Sequence, residues 1–329
     1  MMKIGIIGAG NIAVSMCRTV RGMKAAGRPV ELYAVASRDV DKAIRFAREH
    51  GVRRAYGSYE ELVQDPAVDL IYIATPHSHH AEQMKLCITH GKPVLCEKAL
   101  TANAAQAEEV LALAREHGVY VAEAIWTRYM PSRQIIDDLI AGGAIGEPLL
   151  LTSNLCYAIE LNERIRQPEL AGGALLDLGV YTLNFASMVF GDDVVSTQSH
   201  VEMLPTGVDR TENITLRYRD GRTAMLMSSA AFNSDRRCVI YGTRGYITVD
   251  NVNNPAFIEV FDGNDRIHPV KHIDVPVQIT GYEYEVEACL RDIPLGRIEP
   301  PEMPHSEVLT IMRQMDALRA QWGMKYPCD

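Results

Sequence analysis

An α/β unit with a parallel sheet, followed by an α+β unit with a large open, mainly antiparallel sheet, is the fold class this sequence predicts. Three observations carry the prediction. The chain has 329 residues, which at roughly 100–200 residues per domain points to two domains. Up to about residue 124, short β-branched runs alternate with helical stretches, the pattern of right-handed βαβ units around a parallel sheet. Beyond Glu123, extended runs follow one another with few helices between them. The expected division is therefore 1–124 and 125–329.

The elements follow in order. Lys3–Ile7 reads as a strand, Asn11–Ala26 as a helix, Val30–Ala36 as a strand, and Val40–His50 as a helix ended by Gly51. Ser58-Tyr59-Glu60-Glu61 is a capping-box start for a short helix. Asp69–Ala74 is a strand, followed by a helix to about His90 and a strand at Pro93–Glu97. Asn103 caps a helix over Ala104–His117 that Gly118 stops, and Val119–Ala122 is a further strand. Later come a helix at Pro131–Ala141 and extended runs at Leu149–Tyr157, Val194–Met203, Asn213–Arg219, Arg222–Phe232, Arg237–Gly242, Tyr246–Val249 and Phe257–Phe261. Asp220-Gly221 predicts a tight hairpin between two of them. Further helices are expected at Gly172–Phe190, Tyr282–Arg291 and Ser306–Trp322.

Composition narrows the function classes. Forty-two acids against 33 bases give a net charge of −9, which argues against nucleic-acid or anionic-membrane partners, since both require a basic surface. The seven cysteines are scattered and form no C-x-x-C pair; thiols of this kind fit a reducing, cytoplasmic compartment. The N-terminus runs straight into a strand and a glycine turn and does not read as a secretory signal. Gly172–Gly191 is apolar enough to resemble a membrane span, but it carries Asp177, Asn184 and several small residues. A carboxylate at mid-bilayer is costly, so a buried helix is the better reading.

Gly8-Ala9-Gly10-Asn11-Ile12-Ala13 leaves the first strand and opens the first helix. This is the G-x-G-x-x-A arrangement of a Rossmann dinucleotide site. The first glycine permits the turn, the second allows close approach of a pyrophosphate, and the helix N-terminus attracts the phosphates. The second strand ends in Ser37-Arg38 rather than in the acid that holds a ribose 2′-hydroxyl. A hydroxyl and a guanidinium suit a 2′-phosphate, so NADP(H) is favoured. Asp39, one step on, leaves NAD(H) as the alternative.

Thr75-Pro76-His77-Ser78-His79-His80 follows the Asp69–Ala74 strand at the carboxyl edge, where ligands bind in such sheets. Three histidines invite a metal reading, but no Asp, Glu or Cys stands nearby at ligand spacing, so no metal is expected. Contacts of Thr75, Pro76 and His79 with the nicotinamide half of the cofactor, or helix-start packing, fit better. Glu97-Lys98 closes the Pro93–Glu97 strand, and a lysine at the tip of a buried strand needs a partner or a task. On the apolar helix, Asp177 and Tyr181 stand at i and i+4 and share a face. A tyrosine near a lysine can form an acid/base relay for a substrate hydroxyl; the alternative is a core tyrosine with an aspartate that caps a turn.

These residues together resemble the glucose–fructose oxidoreductase/inositol dehydrogenase (Gfo/Idh/MocA) superfamily. The likeness is carried by the glycine turn, Thr75–His80, Glu97-Lys98, the run Glu123–Tyr129, Ala171–Tyr181 and Thr206–Asp209, and it extends over essentially the whole chain. Two of those runs, Glu123–Tyr129 and Ala171–Tyr181, are similar to its dihydrodiol and sugar dehydrogenase branch. The resemblance implies that Lys98 matches the catalytic lysine, Tyr181 the acid/base position and Asp177 a substrate-orienting aspartate. It further implies that Trp126 and Arg128 lie near the nicotinamide and substrate, and that the open sheet forms a homodimer face.

The expected activity is transfer of a hydride between a nicotinamide cofactor and a secondary alcohol of a sugar or cyclic diol. Two alternatives are a redox-assisted glycoside hydrolase or lyase with tightly held NAD, and a regulator that binds the dinucleotide without catalysis. One departure stands out: the family usually reads Glu-Lys-Pro, and Ala99 replaces the proline. Without proline's restriction on its neighbour, the aim of Lys98 must depend on surrounding packing.

Overall fold

Alternation of β-branched strands with amphipathic helices builds a six-stranded parallel sheet. The computed structural model describes residues 1–265 and 267–329. Its first strands and helices are β1 (Met2–Ile7), α1 (Asn11–Ala25), β2 (Val30–Ala36), α2 (Val40–His50), β3 (Arg54–Tyr56), α3 (Tyr59–Gln64), β4 (Leu70–Ile73), α4 (His80–Thr89), β5 (Val94–Glu97), α5 (Ala104–His117) and β6 (Val121–Ala124). The strand order is β3-β2-β1-β4-β5-β6, so the order reverses beside β1, and the crevice at that switch point is where α/β sheets of this type take their ligands. Strand β1 pairs in parallel with β2 and β4, and its Ile4, Ile6 and Ile7 are almost wholly buried.

Local signals account for the helix ends. Asp39 accepts a hydrogen bond from Lys42 N, Ser58 from Glu61 N and Asn103 from Gln106 N; Gly51 and Gly118 close α2 and α5 in the left-handed conformation. Strand β6 begins two residues later than expected. The chain after α5 first completes its cap with a bond from Val119 N to Ala114 O. The short edge strand β3 was not foreseen, because three half-exposed residues leave no periodic trace.

The second sheet has eight strands. After α6 (Pro131–Ala141) come β7 (Pro148–Cys156), α7 (Glu163–Arg166), α8 (Val180–Phe190), β8 (Val194–Met203), β9 (Asp209–Tyr218), β10 (Thr223–Ser229), β11 (Cys238–Gly242), β12 (Tyr246–Val249), β13 (Phe257–Phe261) and β14 (Lys271–Asp274). The order is β14-β13-β12-β11-β7-β10-β9-β8. All pairs are antiparallel except β7 with β10. The predicted Asp220-Gly221 turn joins β9 to β10, with Gly221 N bonded to Tyr218 O. The helix expected over Gly172–Phe190 starts instead as a π-turn at Leu175–Gly179 that continues into α8. Residues 168–190 have the length and hydropathy of a membrane span, yet 89% of their most apolar 18-residue stretch is buried inside the protein. It is the core helix of the second sheet.

The last helices are α9 (Glu283–Asp292) and α10 (His305–Trp322). By compactness, residues Met1–Trp126 with Gln278–Met312 form one unit, and Thr127–Val277 with Arg313–Asp329 form the other. This corrects the placement of 278–312 in the second domain. Val286 and Cys289 of α9 are fully buried in the same core cluster as Met16, Val20 and Met23 of α1, and burial of that apolar stripe attaches the segment to the parallel sheet.

Candidate active site

In the first unit the predicted cofactor residues converge on the carboxyl edge of the parallel sheet. Gly8 adopts φ +99°, and a Cβ there would lie 2.8 Å from Ala74 O, so only glycine makes this turn. Gly10 faces open space, with nothing within 4 Å of where a Cβ would stand. Helix α1 begins at Asn11 and Ile12 without a side-chain cap and without an acid in its first turn. Open room above a helix N-terminus, with no competing acid, fits a pyrophosphate.

Ser37 is buried at the end of β2 and its Oγ accepts from Asp39 N at 3.3 Å. The Asp39 carboxylate caps α2 through Lys42 N at 3.1 Å. Arg38 is exposed and lines a cleft of about 500 Å³ with Tyr59, Ser78, His79 and Lys85. Burial, and then the Arg38 charge, push the His79 imidazole below its ordinary value. Lys85 in that cleft is paired with Glu82 and Glu109.

Behind the cleft, the loop after β4 is tied to the loop after β5. Thr75 Oγ1 bonds Gln83 Oε1 at 2.6 Å, and Pro76 caps the single 3₁₀ turn His77–His79. His77 Nε2 lies 3.1 Å from Lys98 O. His80 is fully buried; its Nδ1 lies 3.0 Å from Ala99 O and its Nε2 2.8 Å from Thr75 O. Glu123 Oε1 accepts from Leu100 N at 2.8 Å. The Lys98–Ala99 peptide is cis. Two imidazoles and one carboxylate thus hold the backbone on either side of the half-buried Lys98. His77 and His80 do packing work while His79 lines the cleft, and among the described residues no group of His, Cys, Asp and Glu could hold a metal.

Glu97, nine-tenths buried, accepts from the Tyr72 hydroxyl. Glu285 of α9 is fully buried, and among the described residues neither carboxyl oxygen meets a donor; burial and then the Glu97 charge push its carboxyl well up. Trp126 stacks on Tyr282, ring centroids 4.5 Å apart and planes 16° from parallel.

In the second unit, Asp177 lies in the π-turn and Tyr181 in the first turn of α8. Both are more than nine-tenths buried. Arg164 Nη1 donates to Asp177 Oδ1 at 2.7 Å, and this arginine, which the sequence reading missed, is half exposed. Only its proximity in space to Asp177 marks it. Arg128 is buried and donates from Nε to Asn184 Oδ1 at 2.8 Å and from Nη2 to Ser187 Oγ at 3.1 Å. It therefore braces the helix that carries Tyr181.

A glycine cradle, a cleft beyond β2 lined by Arg38 and a lysine at the same sheet edge define a pyridine-nucleotide oxidoreductase. Residues 2–124 match the oxidoreductase family with NAD-binding Rossmann fold, and residues 134–248 match the GFO/IDH/MocA C-terminal domain. The chain is 34% identical over 330 residues to the trans-1,2-dihydrobenzene-1,2-diol dehydrogenase of Xenopus tropicalis, covering 99% of each chain. It is 39% identical to the rabbit (Oryctolagus cuniculus) protein of that name over 341 residues, covering 98% of this chain and 99% of the other. Among solved structures, KijD10, a 3-ketoreductase from Actinomadura kijaniata in complex with NADP and TDP-benzene, superposes with a TM-score of 0.86 at 26% identity, covering 97% of each chain. The chain belongs to the GFO/IDH/MocA oxidoreductase family. It is an NAD(P)-dependent dehydrogenase or reductase acting on CH–OH groups.

Proposed function

We propose that the protein transfers a hydride between NADP(H) and a secondary alcohol of a sugar or cyclic diol, with Lys98, Asp177 and Tyr181 as its catalytic residues. The observation that carries this reading is the placement of Lys98 just beyond β5, on the edge where Gly8, Arg38 and Thr75 also stand. Its NADP(H) preference is supported by Arg38 in the cleft and by Asp39, whose carboxylate caps α2. The diol and sugar classes are supported by the names of the relatives.

When bound, the nicotinamide supplies the hydride acceptor. Gly8, Gly10 and the start of α1 hold the pyrophosphate; Ser37, Arg38 and His79 hold the adenosine end and its 2′-phosphate; Thr75, Pro76, Glu97 and Trp126 line the remainder. Tyr181 takes the substrate's hydroxyl proton at its phenolic oxygen, and the Lys98 ammonium favours the phenolate form. Asp177 accepts from a substrate hydroxyl and orients the carbon that loses hydride. The partners in this reading are the small polyol and a second copy of the chain in the cytoplasm. Met225 and Tyr241, 50% and 38% exposed, support a homodimer through the outer face of the second sheet.

Lys98→Met and Tyr181→Phe test the chemistry. Both are expected to lower kcat by about 100-fold or more while NADP⁺ still binds, in assays of aldoses, inositols and dihydrodiols with NADP⁺ and NAD⁺. Near-normal turnover of both variants overturns the relay.

A further inference from the structure

Two carboxyls that the proposed mechanism does not use, Asp209 and Glu212 at the start of β9, are fully buried. Asp209 Oδ2 accepts from Leu175 N at 2.6 Å, the first residue of the π-turn. Among the described residues, Asp209 Oδ1 and both Glu212 oxygens are buried and make no hydrogen bond of ordinary geometry, with the Ser228 hydroxyl beside Glu212. The π-turn lies directly on these groups. A Cβ at Gly173 would stand 2.0 Å from Asp209 Oδ1, and one at Gly179 would stand 2.7 Å from Glu212 Oε1. The two glycines that flank Leu175–Leu178 are therefore the points where backbone meets carboxyl. This gives a physical reason for glycine at both ends of Gly173-Ala174-Leu175-Leu176-Asp177-Leu178-Gly179.

We propose that Asp209 and Glu212 share one proton and act as positioning residues for the π-turn, setting the aim of Asp177 and of Tyr181 one turn later. The inference rests on the catalytic reading of those two side chains. Two adjacent buried carboxylates repel each other and lack the solvation that would support both charges, so one proton retained between them relieves the repulsion and supplies the missing donor. Burial raises the Asp209 carboxyl to about 6, and burial, then the Asp209 charge, push the Glu212 carboxyl well above its ordinary value. The groups around the pair are Ser228 of β10, Cys156 of β7, Thr182 of α8 and Tyr326 of the C-terminal segment. The Tyr326 hydroxyl donates to Gly172 O at 2.6 Å and fixes the chain where it enters the turn. The retained charge is best spent on Leu175 N, because an ionised acceptor makes the stronger bond to a backbone donor. A π-turn is seldom adopted without a local cause and often marks a functional site; here the cause is the carboxyl pair beneath it.

The test uses the full-length protein with Asp209→Ala, Asp209→Asn and Glu212→Gln. In Asp209→Ala, amide exchange over residues 174–180 is expected to accelerate, and kcat to fall by about tenfold or more with KM for NADP⁺ within about twofold. In Asp209→Asn and Glu212→Gln an amide replaces the shared proton, so protection and turnover are expected to return to within about threefold of wild type. The infrared difference between wild type and Glu212→Gln at neutral pH is expected to carry the C=O stretch of one protonated carboxyl. Unchanged exchange in Asp209→Ala, or a difference spectrum without that band, overturns the inference. Should Asp209→Ala fail to fold, the infrared spectrum and the two amide variants decide it. Exchange and infrared need no turnover, so a wild type inactive on every polyol defeats the catalytic reading while these two results still judge the positioning pair.

Discussion

The Nδ1 of His80 lies 3.0 Å from the carbonyl oxygen of Ala99. The opposite ring nitrogen lies 2.8 Å from Thr75 O, so one buried imidazole joins the loops that follow β4 and β5. A neutral imidazole donates to one of these carbonyls and an imidazolium to both. In either state the ring is the brace that Ala99 requires, because alanine leaves the backbone around Lys98 freer than proline does.

His80→Ala removes that brace without touching the lysine. Its kcat is expected to fall by about tenfold or more, while the dissociation constant for NADP⁺ changes by about threefold or less. Steady-state kinetics with fluorescence titration of the cofactor separate the two; equal losses in both would mean that the whole sheet edge collapses.

Arg38→Ala tests the cofactor preference. Loss of a charge-assisted contact to a 2′-phosphate is expected to raise KM for NADP⁺ by about tenfold or more and leave that for NAD⁺ near its starting value. A parallel rise for both cofactors would assign Arg38 to packing against Tyr59, whose hydroxyl it meets.

Arg164→Met leaves the buried Asp177 without its arginine partner. Because the pair is 2.7 Å apart and the arginine is half exposed, the substitution is expected to change the KM for the polyol by about fivefold or more, with the KM for NADP⁺ unaffected. The comparison of the two KM values is the measurement.

The pH dependence of stability follows from Asp209. Its carboxyl is raised from 3.8 to about 6 in the folded chain. A folded value above the unfolded one means that protonation favours folding. The contribution is complete below about pH 3.8 and is lost as pH rises through about 6. Between those limits the melting temperature of Asp209→Asn is expected to gain on that of wild type as pH rises. Parallel melting curves at pH 4.5 and 7 would be the contrary result.

Much of the first sheet was legible because its signals are local. The strand, glycine turn and helix from Lys3 to Ala25 are read from adjacent residues, and Asp39, Ser58 and Asn103 cap the helices they precede. The candidate residues Gly8, Arg38, Thr75 and Lys98 were found for the same reason: a parallel sheet sends every strand's carboxyl end to one edge. Strands β3 and β14 were missed, being short, and the parallel pairing of β7 with β10 joins segments some 70 residues apart. Arg164 and the Asp209–Glu212 pair were not assigned roles, since a charged residue's burial cannot be read from its neighbours along the chain. The run ending in Asp209 was visible only as a likeness.

The sequence by itself determined that the chain builds a dinucleotide cradle, that a lysine closes β5, and that a tyrosine and an aspartate share a helix. Each is a matter of spacing along a strand or a helix turn, where geometry repeats every two or 3.6 residues, although the π-turn at Leu175–Gly179 takes Asp177 off the 3.6-residue repeat that the i, i+4 reading assumes. The tertiary structure decided that α9 belongs to the parallel-sheet unit, that His77 and His80 bond the backbone of Lys98 and Ala99, and that two buried carboxyls lie under the π-turn. Those outcomes depend on which surfaces lose water together. Desolvation is set by residues far apart in the chain, and no local pattern encodes it.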